Sequence, residues 1–371
     1  VRCVVGSYAC TTDVLSKGSE IGPNPIIVLT DVGRDVDDEY CLILLAALSR
    51  LQMVSPLAVV STLSPSKKRA DLTRGALDSL GLSDVPVGIG SAGGVEKGRE
   101  LEVYEASHAR SCGCIYECGV DLMVQQLKKA PDKSVQMLCI ASLTDLATLI
   151  RNHEELFTAK VKEVVVMGGV NSLDSSDYLE PDSAYNNNCD MGAALFVYKK
   201  CQDLGVPTLT LARWAAYGCP VSTTVFDELC ETAHMVAMNS RKVSMSAINH
   251  LWSKVNYAIA DPRREKLPPR CNRNWFCNTF FGKDDINRDG SASIWDLVTK
   301  LNMYDPLALL CSIPSFQETY FCPEVKVVNG VKHKVIGVAA DKTGIVDADA
   351  LTEKLSSLFS LALRSALQNV G

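Results

Sequence analysis

The segment from residue 31 to residue 39 concentrates the acidic side chains that could do chemistry. It follows a short apolar run at 26–30, and it places five carboxylates within nine residues: Asp31, Asp35, Asp37, Asp38 and Glu39. Like charges held in a cleft raise one another's pKa unless a cation neutralises them. Carboxylate oxygens, joined by one or two backbone carbonyls, suit the hard cation Ca²⁺. A helix cap explains one or two such residues but not five, so the loop predicts a metal site.

A second acidic segment, at 285–296, resembles the calcium loop of an EF-hand at its first, third, fifth and sixth positions. The side chains that would ligate a second Ca²⁺ are Asp285, Asn287, Asp289, Ser291 and Asp296. The last of these is shorter than the usual Glu, and no second hand follows. A solvated turn that caps a helix is the alternative, and both interpretations stay open.

Segments of strand and helix character alternate along the chain and must position these loops. Apolar, β-branched runs predict strands at 26–30, 57–62, 85–89, 135–141, 163–167 and 208–211, and helices are predicted at 40–48, 71–80, 143–151 and 190–200. This alternation predicts an α/β fold with an open, mainly parallel sheet and helices on both faces. A functional site is then expected at the carboxyl ends of the strands.

The domain prediction is one large domain with additions. Residues 1–24 are expected to form an N-terminal extension and 25–371 a single domain, with a mostly helical cap or insertion at about 219–300. The segment 261–278 within it is rich in Pro, Arg and Asn. No internal repeat is visible.

Composition excludes several classes of partner. The 371 residues are 47% hydrophobic, and 37 basic against 43 acidic side chains give a net charge of −6. Such a balance disfavours nucleic acid, which needs a basic surface, and no apolar run approaches the roughly 20 residues of a membrane helix. We expect a homo-oligomer or a subunit of an assembly. Because the chain begins at Val1, its compartment stays open between the cytoplasm and an organelle reached after leader removal.

The 15 cysteines do not by themselves indicate a function. Cys112, Cys114 and Cys118 are clustered but lack a second pair at zinc-site spacing, which disfavours zinc. Others stand in apolar stretches, where a free thiol behaves as a small hydrophobic side chain.

The acidic loop resembles the N-terminal signature of the nucleoside hydrolases, D-x-D-x-x-x-D-D after the first strand, at three of its four aspartates. Four further segments resemble motifs of the same family in the same order: 141–147 (ASLTDLA), 164–169 (VVVMGG), 185–194 (YNNNCDMGAA) and 304–308 (YDPLA). Five ordered motifs along most of the chain are more specific than any one of them.

The resemblance implies Ca²⁺-dependent hydrolysis of the N-glycosidic bond of a ribonucleoside or related riboside, as in purine or pyrimidine salvage. It implies an ion near Asp31, Asp38, Asp305 and the Thr144 carbonyl, and a water that an aspartate deprotonates. Asp37, Asn186 and Met167 fall where the family binds its substrate. Asp305 alone also fits a plain helix cap followed by Pro306.

The sequence departs from the family pattern at four positions. Gly33 stands where the family has its second Asp, Tyr304 replaces a His that protonates the leaving group, and Ala184 and Tyr178 replace a Glu and an Asn. Asp35 is the candidate substitute base and Tyr304 the candidate acid. Residues that could take other vacated roles are Asp182, Arg213, Trp214 and Tyr217, with His108, His234 and His250 as alternative acids.

These departures leave three hypotheses. The leading one is hydrolysis of an N-riboside. The second is Ca²⁺-dependent binding of a sugar or nucleoside without turnover, and the third is a catalytically impaired subunit of an assembly.

Overall fold

The computed structural model describes residues 22–33, 36–94, 106–110, 115–264 and 267–368. Asp35, Cys112 and Cys114 lie outside the described residues, as does nearly all of the predicted N-terminal extension. The predictions made for them therefore stay predictions.

A nine-stranded sheet forms the centre of the molecule, in the order β10-β11-β7-β6-β5-β1-β2-β3-β4. Every neighbouring pair in it is parallel except β10 and β11. Its strands are β1 (Asn24–Thr30), β2 (Val54–Ser61), β3 (Val87–Ile89), β4 (Ile115–Tyr116), β5 (Val135–Cys139), β6 (Val161–Gly168), β7 (Thr208–Ala212), β10 (Glu324–Val328) and β11 (Val331–Ile336). β8 (Val221–Ser222) and β9 (Lys300–Leu301) pair separately as a two-stranded sheet.

Fourteen α-helices are found among the described residues. They are α1 (Asp37–Arg50), α2 (Ser66–Ser79), α3 (Gly119–Lys129), α4 (Thr144–Asn152), α5 (Glu154–Lys160), α6 (Tyr185–Cys189), α7 (Met191–Asp203), α8 (Arg213–Gly218), α9 (Thr223–Cys230), α10 (Met235–Val255), α11 (Arg273–Phe281), α12 (Tyr304–Cys311), α13 (Pro314–Tyr320) and α14 (Ala348–Gln368). Short 3₁₀ segments occur at Pro262–Arg264 and Trp295–Leu297. No helix in the described ranges combines the length and apolar character needed to cross a membrane.

Two hydrophobic cores lie on opposite faces of the sheet. Because successive side chains of a strand point to opposite faces, Ile26 and Val28 of β1 pack into one core, and Ile27 and Leu29 into the other. Helices α1, α12 and α14 contribute to the first core, and α3, α4 and α7 to the second. A strand buried on both faces reads as a continuous apolar run, which is why β1 was visible in the sequence.

The predicted fold class is confirmed: the sheet is mainly parallel, helices cover both of its faces, and the C-terminal part is helical. Each of the six predicted strands is present. The region at 219–300 contains α9, α10 and α11, whereas the domain boundaries and the oligomeric state stay predictions.

Candidate functional site

Three buried carboxylates meet at the carboxyl-terminal edge of the sheet. Asp37 and Asp38 lie in the first turn of α1, directly beyond β1, and Asp305 is the second residue of α12. One oxygen from each lies within 4.8 Å of the others, and among the described residues this is the only such group of three or more acidic, His or Cys side chains. We call these residues the carboxylate trio. Their oxygens are the ligands that hard divalent cations prefer, so the trio could hold a metal ion.

The N-termini of two helices bring the trio together although its members are distant in sequence. The backbone N–H of Tyr304 donates to Oδ2 of Asp37 at 3.3 Å, joining groups 267 positions apart. Helices α1 and α12 therefore both begin at the trio. The N–H groups of the first helical turn have no acceptor within the helix, and they and the positive end of the helix dipole favour negative charge there.

Asp38 is held firmly within the trio. The hydroxyl of Thr30 and the backbone N–H of Asp31, the latter at 3.0 Å, both donate to its Oδ1. Burial raises the pKa of Asp38 well above its ordinary value, and the charges of Asp31, Asp37 and Glu39 raise it further. A bound cation would relieve this repulsion. The donor set therefore fits the Ca²⁺ that the sequence predicts.

The loop that follows β1 is held by hydrogen bonds from an arginine that the sequence analysis did not identify. The guanidinium of Arg69, on α2, is fully buried and donates to the carbonyl oxygens of Asp31 and, at 2.6 Å, of Val32. Its neighbours Lys67 and Lys68 are exposed, so Arg69 alone of these three cations points into the protein. Gly33, the next loop residue, has φ +105°, a conformation that L-residues rarely adopt.

The predicted substrate-binding residues Asn186 and Met167 are in contact. The Asn186 amide donates to the carbonyl oxygens of Ile140 at 3.0 Å and Met167 at 3.2 Å, and so links the ends of β5 and β6. Thr144 begins α4; its hydroxyl donates to Asp190 at 2.8 Å, and its carbonyl oxygen accepts from the Thr148 hydroxyl at 2.9 Å. The assignment of the Thr144 carbonyl as a metal ligand stays a prediction.

An aromatic row leads away from the trio. The rings of Tyr304 and Tyr217 have centroids 6.4 Å apart, and those of Tyr217 and Trp214 are edge-on at 5.4 Å. Burial, and then the neighbouring Tyr217, raise the pKa of the Tyr304 phenol well above its usual value. The phenol is therefore protonated at neutral pH, so it has a proton to donate but holds it tightly.

Two of the candidate histidines lie far from the trio. The ring of His234 is 2.9 Å from the carbonyl oxygen of Ser79, and the His108 backbone packs against Gly75. Both contacts are with the second half of α2, which runs from the carboxyl edge of the sheet back toward the opposite edge. Burial lowers the pKa of His108 to about 4 and also lowers that of His234. His250, on α10, is exposed.

The segment at 285–296 is organised by arginines. Arg273 donates to Asp285 at 2.7 Å, and Arg288 pairs with Asp296. Asp289 accepts the backbone N–H of Ser291 at 2.8 Å, as in a local turn. Asn287 is exposed. The second calcium site stays a prediction, because a cation would have to displace these two arginines.

Comparison with known proteins assigns the family. The profile of the inosine-uridine preferring nucleoside hydrolases matches residues 26–350, which is most of the chain. The chain belongs to this family. A search of curated proteins found no match.

This nucleoside hydrolase family member is similar to solved effector structures. The effector protein XOO4466 is 28% identical with a TM-score of 0.81, and the type III effector XopQ, solved in complex with adenosine diphosphate ribose, is 28% identical with a TM-score of 0.82. Each alignment covers 95% of this chain and 97% of the other. The plant nucleoside hydrolase PpNRh1 is 15% identical with a TM-score of 0.58, over 92% of this chain and 99% of that one, and shows the shared fold.

The structure describes two of the positions at which the sequence is predicted to depart from the family pattern. Gly33, predicted from the motif to replace the second signature Asp, has a positive φ. Tyr304, predicted to replace a His, has its phenol ring against that of Tyr217.

Proposed function

We propose that this protein is a Ca²⁺-dependent hydrolase that cleaves the N-glycosidic bond of a ribonucleoside or related N-riboside. The observation that carries the proposal is the carboxylate trio, buried and gathered within 4.8 Å at the carboxyl edge of the sheet. Family membership supports hydrolysis of N-ribosides in general, and oxygen-only donors support Ca²⁺ as the ion.

Each residue of the site has a role in this proposal. When bound, Ca²⁺ lowers the pKa of a water and orients sugar hydroxyls. Asp38 and Asp305, with Asp31 and the Thr144 carbonyl, would hold the ion.

The remaining residues would handle the substrate and its protons. Asp37, Asn186 and Met167 would contact the ribose. Asp35 would accept the proton of the attacking water, and the Tyr304 phenol would donate one to the departing base. A phenol with a raised pKa is a weak acid, which favours substrates whose leaving group needs little protonation.

A second candidate is Ca²⁺-dependent binding of a ribosyl ligand without turnover. Gly33 and Tyr304 favour it, because both groups expected to move protons are changed. XopQ, which is 28% identical to this chain, was solved with adenosine diphosphate ribose. That ligand contains ribose, so we propose ADP-ribose as a second ligand class to be tested beside nucleosides.

The test is release of base or ribose from inosine, uridine, adenosine and ADP-ribose, followed by chromatography with Ca²⁺ or with a calcium chelator. We expect turnover only with Ca²⁺. Asp38→Asn should lower it by more than about 100-fold, since even the partners of metal ligands are worth 10–100-fold. Asp296→Asn, in the 285–296 segment, is the matched control and should retain activity.

Two outcomes would decide between the candidates. Turnover that survives both the chelator and Asp38→Asn would contradict the proposed mechanism. Ca²⁺-dependent binding measured by calorimetry, with no product after prolonged incubation, would establish the second candidate instead.

A further inference from the structure

Arg213 stands at the far end of the aromatic row that begins beside the carboxylate trio. It directly follows β7, at the same edge of the sheet as the trio. Its guanidinium carbon lies 5.8 Å from the ring centroid of Trp214, which contacts Tyr217, which in turn contacts Tyr304. The backbone of Tyr304 is bonded to Asp37. A chain of side-chain contacts thus connects the acidic trio to the basic side chain of Arg213.

Among the residues that the structure describes, the half-buried side chain of Arg213 forms no ion pair with a carboxylate. Among the ion pairs of the described residues, none includes Arg213, although the protein carries more acidic than basic side chains. A guanidinium that has lost part of its hydration gains most from a charged acceptor that it can bind with two parallel hydrogen bonds.

Other arginines reinforce the positive charge at this end. Burial raises the pKa of the Cys271 thiol, while the charges of Arg270, Arg264 and Arg213 lower it, so three guanidinium groups act on one buried thiol. The Arg264 guanidinium donates to the carbonyl oxygens of Cys271 at 3.0 Å and Pro268 at 3.2 Å, which fixes the cap segment at this place. A ligand with an anionic group would be attracted by the positive charge of these side chains, and a neutral nucleoside would not.

We propose that Arg213 forms a distal subsite that binds a phosphate or pyrophosphate group carried by the ribosyl ligand. The proposal rests on the ribose binding proposed above and narrows its substrate class to phosphorylated ribosyl compounds. In this arrangement the ribose lies at the carboxylate trio and the anionic group pairs with Arg213. The aromatic row contacts the part of the ligand that lies between them. Planar guanidinium groups recognise phosphate oxygens in a way that a neutral amide cannot reproduce.

The test compares calorimetric affinities for adenosine, adenosine monophosphate and ADP-ribose in the presence of Ca²⁺. The variants are Arg213→Gln, which removes the charge, and Arg213→Lys, which keeps it without the planar fork. Arg263→Gln is the matched control, because Arg263 is exposed, pairs with Asp261 and packs on Tyr257. Unchanged circular dichroism and thermal unfolding would establish that each variant folds.

Arg213→Gln should raise the Kd for ADP-ribose by roughly tenfold or more, because a charge-assisted contact is lost. The Kd for adenosine should stay within about twofold of the wild-type value. Arg213→Lys should be intermediate and Arg263→Gln unchanged. A loss with adenosine monophosphate as well would assign a single phosphate, whereas a loss with ADP-ribose alone would assign the pyrophosphate.

Three outcomes would overturn the subsite. If Arg213→Gln loses affinity equally for adenosine and ADP-ribose, or loses none, the subsite is contradicted while the proposed function stands. Wild-type protein that binds no ribosyl ligand with Ca²⁺ overturns both proposals together. Asp38→Asn separates the two, since it should abolish binding of every ligand.

Discussion

At the scale of single residues, Gly33 shows why the site is not a family site with one carboxylate deleted. Its φ of +105° is open to glycine but strained for any residue with a Cβ. The guanidinium of Arg69 holds the carbonyls of Asp31 and Val32, so the path of the loop disfavours the aspartate that the signature has at this position. In the proposed mechanism, the base must therefore come from another residue.

Restoring the aspartate should therefore cost stability. We expect Gly33→Asp to lower the free energy of unfolding by about 1–3 kcal/mol through backbone strain, as measured by urea denaturation with a calcium chelator. Gly33→Ala carries the same strain without the carboxylate, so the difference between the two variants in Ca²⁺ affinity isolates the effect of the charge. Full stability in both variants would show that the loop tolerates a Cβ.

The sequence predicted some of the residues in this site and missed others for a physical reason. Clustered carboxylates and ordered motifs predict Asp38 and Asp305 as metal ligands and Asp37 as a ribose contact, and the structure brings these three side chains together. Arg69 was missed because its function depends on burial, and the sequence Lys67–Lys68–Arg69 does not reveal which of three cations points inward. That Arg213 forms no ion pair among the described residues likewise depends on how distant elements pack, which the local sequence does not reveal.

At the scale of elements, the strands at the centre of the sheet were predicted and the hairpin at its edge was missed. β1, β5 and β6 each contain an apolar run, at 26–29, 137–139 and 164–167, since both of their faces are covered there. β10 and β11 alternate Lys with Val and were missed. Their turn, Asn329-Gly330, has φ values of 51° and 78°, and Asn-Gly is the strongest short hairpin signal, so the information was present.

His333 gives β11 a dependence on pH. Its side chain is fully buried, and Nδ1 accepts the backbone N–H of Thr208 on β7 at 3.2 Å. Burial lowers its pKa to about 4, whereas in the unfolded chain it titrates near 6.5. Between these values the unfolded state binds more protons, so the stability present above pH 6.5 is lost as the pH falls toward 4.

This linkage should be visible in urea denaturation at pH 7 and pH 4.5. Over this interval, the free energy of unfolding of the wild type should fall by about 2–3 kcal/mol more than that of His333→Asn, because each unit of pKa shift is worth about 1.4 kcal/mol. The Asn side chain keeps an acceptor for Thr208 but does not titrate. His108 titrates in both proteins and cancels in the comparison. Equal losses in the two proteins would rule out His333 as the source.

At the scale of the whole molecule, the trio joins two segments that lie far apart in the sequence, 267 positions from Asp37 to Tyr304. α1 follows the first strand of the sheet and α12 lies beyond the cap region, yet both begin at the same buried carboxylates and both pack into the core that also holds α14. An ion bound here would bridge segments that separate when the protein unfolds. Metal binding should therefore be coupled to global stability as well as to chemistry.

We expect Ca²⁺ at 100 times its dissociation constant to raise the free energy of unfolding by about 2.7 kcal/mol, since the ion binds only the folded state. Scanning calorimetry should show a higher Tm that a chelator reverses. Asp305→Asn should abolish the shift, because it removes one member of the trio and leaves α12 its backbone contact with Asp37. Asp296→Asn should retain the shift, since its carboxylate pairs with Arg288. A full shift in Asp305→Asn would place the stabilising ion elsewhere, and a stoichiometry of two that falls to one in Asp296→Asn would establish the second calcium site at 285–296.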